Sequence, residues 1–176
     1  MVNGEPRWTC RTHVNKVAGQ DVLEIAPLRN LPVIKDLATN MDPFFEKWVK
    51  AEAVHHSSSS RDDDMTAVLP DDAERKKADA GIECINCAVC YAACDTVAGN
   101  ADYLGPAALQ RAWTLYNDAR DAGKQTILEA VSGVGGCHNC HAQGGCSHYC
   151  PSELNPMQAI AGLKQAATRA LLKGKL

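Results

Sequence analysis

Four cysteines stand in "CINCAVCYAACD", at Cys84, Cys87, Cys90 and Cys94, with the spacing C-x2-C-x2-C-x3-C. Thiolates two residues apart let one loop meet successive corners of an iron–sulfur cubane. Amides of that loop point at the sulfurs and stabilise the reduced form. The last gap is one residue longer, which turns the fourth thiolate away from the other three. In runs of this spacing it serves a second cluster. Zinc also takes four thiolates, but usually as two separated C-x2-C pairs. The run therefore predicts an electron-carrying iron–sulfur site rather than a zinc staple.

A second run, "CHNCHAQGGCSHYCP", extends from Cys137 to Pro151. Aligned on its closing Cys150-Pro151, it reads C-x2-Q-x2-C-x3-C-P, with Gln143 where a second ligand is expected. Cross-ligation then assigns Cys84, Cys87, Cys90 and Cys150 to one site, a four-thiolate set suited to [4Fe–4S]. Cys94, Cys140 and Cys146 remain for the other, and three thiolates without a fourth ligand suit [3Fe–4S]. Cys137 lies outside this frame. It reads as a spare buried thiol, a common state for cysteine. The alternative is a fourth ligand reaching back, for which the preceding "SGVGG" leaves backbone freedom.

These runs need elements to hold them. The chain has 176 residues and nine cysteines, with a net charge of −3 that is too small to point to any partner. No apolar run approaches the ~18 residues of a membrane helix. No secretory leader is visible, and close-spaced cysteines in a chain of this size suit metal ligation in a reducing compartment. Residues 1–26 alternate loosely in "WTCRTHV" and "DVLEIAP", predicting two short strands with an Asn3-Gly4 turn ahead of them. From Pro27 to Val54 the spacing becomes helical, placing Leu37, Met41, Phe44, Phe45 and Trp48 on one face, with a start at Asp42-Pro43. Residues 55–80 are polar and read as an exposed connection in which His55 and His56 are solvated loop histidines. Helices are expected over 106–120, over "QTILEAV" and over the tail from Pro156, ending near Gly174. Lys164, Arg169, Lys173 and Lys175 make the tail basic, either as a match to the helix dipole, the preferred reading, or for contact with an anionic surface. The fold class expected is mainly α. An α-helical dicluster ferredoxin-type domain over 31–176 follows a β remnant over 1–30.

"CINCAVCYAACD" and "CHAQGGCSHYCP", with "LRNLPVIKDLATNMDPFF", "YLGPAALQRAW" and "NDARD", resemble the iron–sulfur subunit of succinate dehydrogenase and fumarate reductase, respiratory complex II. "NGEPRWTC" is similar to the end of that family's plant-type [2Fe–2S] domain. The resemblance covers the chain except residues 55–80. It implies a FAD-containing flavoprotein partner, membrane-anchor subunits, a quinone, and a wire of [2Fe–2S], [4Fe–4S] and [3Fe–4S] clusters. It implies no nucleic acid and no substrate chemistry on this chain. It also implies a peripheral position on the inner face of a respiratory membrane, bacterial or mitochondrial. The family's [4Fe–4S] ligands map onto Cys84, Cys87, Cys90 and Cys150, and its [3Fe–4S] ligands onto Cys94, Cys140 and Cys146. Cys10 maps onto the last of four [2Fe–2S] cysteines, and the other three have no counterpart here. Cys10 is thus expected to ligate only if the remaining ligands come from outside this sequence, the subunit being partial or complemented. His141 matches a histidine between the three-iron cluster and the quinone, where it either carries a proton or hydrogen-bonds cluster sulfur or backbone. The family's proline and tryptophan after the residue matching Cys94 are replaced by "DTVAGN". The competing reading from another class is a stand-alone dicluster ferredoxin acting as a soluble electron carrier.

Overall fold

Pro106 opens the helix around which the molecule is built. The computed structural model describes residues 1–17 and 22–176. Gly105, at φ 85°, turns the chain into this helix, α6 (Pro106–Tyr116), whose Ala107, Ala108, Leu109, Ala112 and Leu115 are all buried. Against it lies α9 (Pro156–Leu172), which starts where Asn155 Oδ1 accepts the Gln158 amide at 3.1 Å. Proline in the first turn and an Asn cap are the helix start its sequence specifies. Ile160, Leu163 and Ala167 of α9 bury the stripe facing α6 and α7 (Lys124–Ser132), where Ile127 and Val131 complete the core.

Helix α2 (Asp42–Lys50) begins at Asp42-Pro43 as expected and inserts Phe44, 1 % exposed, edge-on to Tyr91 at 5.6 Å. The residues before it are not helical. Val33–Lys35 (β1) and Ala38–Thr39 (β2) pair as an antiparallel hairpin, turned at Asp36 with φ 51°. Leu37 therefore sits exposed on the hairpin rather than on the α2 face, and Phe45 is exposed too. The reason is local: Asp36 turns the chain through a left-handed conformation, and Val33–Lys35 are all exposed, so a helix there would bury no face.

The strands expected before residue 27 are replaced by a 3-10 turn (Thr9–Arg11), a short helix α1 (Val14–Val17) and isolated bridges from Val2 to Glu5 and Ile25. Asp21, at the start of the second expected strand, lies outside the described residues. No residue from Arg7 to Val17 is buried, so the alternation has no sheet face to fill. The backbone curls locally instead, with Thr12 Oγ1 donating to the Trp8 carbonyl at 2.8 Å. The Asn3-Gly4 turn is present, both residues at positive φ.

The polar stretch 55–80 holds an unexpected helix, α3 (Ala73–Ile82), packed on α6. Its contact is made by Ala78 and by Gly81, where a Cβ would come 1.9 Å from Thr114 Oγ1. A contact made by such small residues leaves almost no hydrophobic signal. His55 is also not simply solvated. Its Nδ1 lies 3.1 Å from buried Asp121, and Ala122 donates to the His56 carbonyl at 2.8 Å, fastening this segment to the α6–α7 loop.

Candidate iron–sulfur centres

The loop from Cys84 to Cys90 runs from the end of α3 into α4 (Val89–Ala92). Asn86 and Ala88 both take φ 57°, a left-handed conformation that costs side-chain-bearing residues about 1 kcal/mol or more and collects at functional sites. These turns aim Cys84, Cys87 and Cys90 at one cavity. Cys150, just after α8 (Gly145–His148), enters it from the other side. About 400 Å³ of atom-free space, part of it open to solvent, lies there beside Phe44, Ala88, Leu154 and Pro156. The Leu154 amide donates to Cys150 Sγ at 3.4 Å. Burial, first of all, pushes the thiols of Cys84 and Cys87 up and that of Cys90 well up, with neighbouring sulfurs adding to it. Such thiols stay protonated at neutral pH until a cation takes the proton's place.

A second cavity, about 340 Å³, is lined by Cys94, which caps helix α5 (Asp95–Gly99), and by Cys140 and Cys146. Tyr103, Met157 and Ile160 close its apolar side, while His141 and Gln143 are exposed on its rim. The Ala142 amide donates to Cys140 Sγ at 3.4 Å. Burial pushes the Cys146 thiol up to about 11. It also holds the Tyr103 hydroxyl well above its ordinary range, helped by Cys140 and Cys94. The two cavities adjoin because α8 starts on the end of α4. A Cβ at Gly145 would stand 2.8 Å from the Ala93 carbonyl oxygen.

The two thiol sets grouped by spacing are thus gathered around separate cavities. Cys137 lines neither. It is 0 % exposed in a 3-10 turn (Cys137–Asn139) packed on α7 and α9, and burial raises its thiol to about 11. Cys10 is exposed and apart from both sets, yet its turn is tied to them, for Arg11 Nη1 donates to the Pro151 carbonyl at 2.9 Å and Arg7 stands over the Tyr149 ring at 5.5 Å. Lys164 is not a free end-of-helix charge: from the middle of α9 its Nζ donates to the Cys140 carbonyl at 2.6 Å. Sequence reading missed Phe44 and Tyr103 as cavity walls, because an aromatic in a core and one against a cluster carry the same pattern. Among the described residues no three Cys, His, Asp or Glu side chains gather for a single metal ion.

The residues fit clusters rather than one ion. Half-buried and buried thiols ring each cavity, and backbone amides point at sulfur in both. The comparisons agree. A family model described as a 4Fe-4S dicluster domain matches residues 83–155, and one described as a 2Fe-2S iron-sulfur cluster binding domain matches residues 1–46. The fumarate reductase iron-sulfur subunit of Mycobacterium tuberculosis is 34 % identical over 175 residues, 98 % of this chain and 70 % of the relative. That of Escherichia coli O6:H1 is 31 % identical over 172 residues, 98 % and 69 % respectively. The chain belongs to the iron–sulfur subunit family of fumarate reductase and succinate dehydrogenase. A solved Mycobacterium smegmatis Sdh1 complex in the apo form shares the fold, with a TM-score of 0.78 at 21 % identity over 96 % of this chain and 70 % of that one. As a complex II iron–sulfur subunit, the chain is the electron-transfer component of an oxidoreductase and carries iron–sulfur clusters. None of its described helices is long and apolar enough to cross a membrane.

Proposed function

We propose that this subunit carries electrons between a FAD-bearing flavoprotein, where succinate and fumarate interconvert, and a quinone held against a membrane anchor on the inner face of a respiratory membrane. In this reading Cys84, Cys87, Cys90 and Cys150 hold a [4Fe–4S] cluster, and Cys94, Cys140 and Cys146 hold a [3Fe–4S] cluster. Cys10 contributes to a [2Fe–2S] cluster when further ligands are supplied. When bound, the clusters supply one-electron carriers whose potentials are tuned by type, charge and hydrogen bonding. Everything else falls to the chain's residues. The amides of Leu154 and Ala142 direct partial positive charge at Cys150 and Cys140 sulfur. Phe44 and Tyr103, each 1 % exposed, keep water from the inner walls. His141, exposed at the rim of the three-thiol cavity, is the residue this reading assigns to the quinone side, where it either passes a proton or hydrogen-bonds cluster sulfur or backbone. Arg11 and Arg7 seat the Cys10 turn against the Cys150 loop, so that the two ends of the path stay in register.

One observation carries this reading: each cavity draws thiols from both cysteine runs, four in one and three in the other. The deciding experiment is an EPR spectrum of the anaerobically purified, air-oxidised protein. A strong signal from an oxidised three-iron cluster is expected. A silent oxidised spectrum, with cubane signals appearing only on reduction, would overturn the three-thiol assignment.

A further inference from the structure

The basic tail is more than a match to its own helix. Arg169 and Lys173 of α9 and Lys175 beyond it line one broad groove together with Lys77 of α3 and Lys124 of α7. The dipole of α9 accounts only for cations at its end. Lys77 lies inside α3, and Lys124 is the first residue of α7, where the dipole disfavours a cation. Two carboxylates share the groove: Glu74, 3.5 Å from Lys124, and buried Asp121, which faces His55. Among the described residues Lys77, Arg169, Lys173 and Lys175 have no ion-pair partner. Two aromatic side chains form part of the groove's lining. Trp113 and Tyr116 stack at 6.0 Å and 24°. A Cβ at Gly162 would meet Trp113 Cη2 at 2.5 Å, so the glycine lets the indole lie against α9.

We propose that this groove docks an acidic amphipathic helix of a partner protein. The groove, about 910 Å³, is open to solvent and lined from four helices, α3, α6, α7 and α9, a breadth that suits a docked helix better than the small enclosed sites typical of ligands. A bilayer surface is flat and cannot reach a floor recessed between α3, α7 and α9. A helix can: its apolar stripe would lie on Trp113 and Tyr116, and its carboxylates would meet Arg169, Lys173 and Lys77 on the rim. Aromatic and arginine side chains of this kind carry most of the energy of protein interfaces. The groove shares no lining residue with either thiol cavity, so the proposal stands apart from the cluster assignment.

The test places a photoreactive benzophenone residue at Gln165, exposed in the groove, in the chain assembled in its complex. The adduct is mapped by mass spectrometry. The expected adduct is one acidic segment of another protein with apolar residues at helical spacing. The double variant Arg169→Glu, Lys173→Glu should lower its yield roughly tenfold at physiological ionic strength, with iron content unchanged. A synthetic peptide of that segment should bind the unaltered chain and lose affinity for the variant to the same extent. No adduct, an adduct with lipid or a small molecule, a basic or extended segment, or an acidic helix indifferent to the charge reversal would each overturn the proposal.

Discussion

Single side chains divide here by whether they face a cavity or the core. Cys146 faces one. Cys146→Ala is expected to remove the oxidised three-iron EPR signal while leaving the cluster of the four-thiol cavity reducible. Cys137 faces the core, and Cys137→Ala should leave iron content unchanged while costing about 1–2 kcal/mol of stability, read from thermal unfolding. Gln143 stands on the rim where the run's spacing calls for a thiol. Gln143→Cys should therefore raise iron by one per chain and silence the oxidised spectrum. Far from both cavities, Arg120 hydrogen-bonds Asp118 and holds its carboxyl at about 2, below the ordinary 3.8. Because the folded value is depressed, the pair's stabilisation is complete above 3.8 and is lost as pH falls toward 2. Arg120→Ala should flatten that part of the acid-unfolding curve by on the order of 0.5 kcal/mol, the scale of a largely solvated pair.

Among the elements, the link between α7 and the second cysteine run is the least tolerant. Gly135 takes φ 76°, and a Cβ there would lie 2.0 Å from the Asp102 carbonyl oxygen, while its own carbonyl accepts the Leu104 amide at 2.8 Å. Gly135→Ala is expected to cost about 2–4 kcal/mol and to weaken the three-iron signal before the signal of the four-thiol site, as EPR on a temperature series would record. Much at this scale was legible. Proline at α2, α6 and α9 marks helix starts, and the cysteine gaps carry cluster chemistry in themselves, because a loop must wrap a cubane locally. What was not legible depends on partners distant in sequence. The buried contact of α3 is glycine and alanine on α6, invisible as periodicity. The hairpin at 33–39 exposes every strand residue but Thr39, so no burial pattern announces it. His55 finds Asp121 only through the tertiary fold. The alternation in "WTCRTHV" promised a strand, yet none of residues 7–17 is buried, so there is no covered face to match it.

At the scale of the whole molecule, the two cavities act as clasps between distant parts of the chain. Chelating iron from the loaded protein should leave α6, α7 and α9 packed, since their contacts are apolar. The 84–94 and 137–156 segments should open, seen as new proteolytic cuts there with little loss of helical circular dichroism. The same clasping has a consequence for how the protein is made. Residues Cys84 to Cys94 leave the ribosome with three thiols of one set and one of the other. Neither set is complete until Cys146 and Cys150 have followed. Between those moments the nascent chain holds four mutually close, unsatisfied thiols, open to oxidation and to the wrong metal. Cluster delivery must therefore wait until the second run has been made, and protection of the first run has to come from reducing conditions or a bound escort rather than from its own cluster.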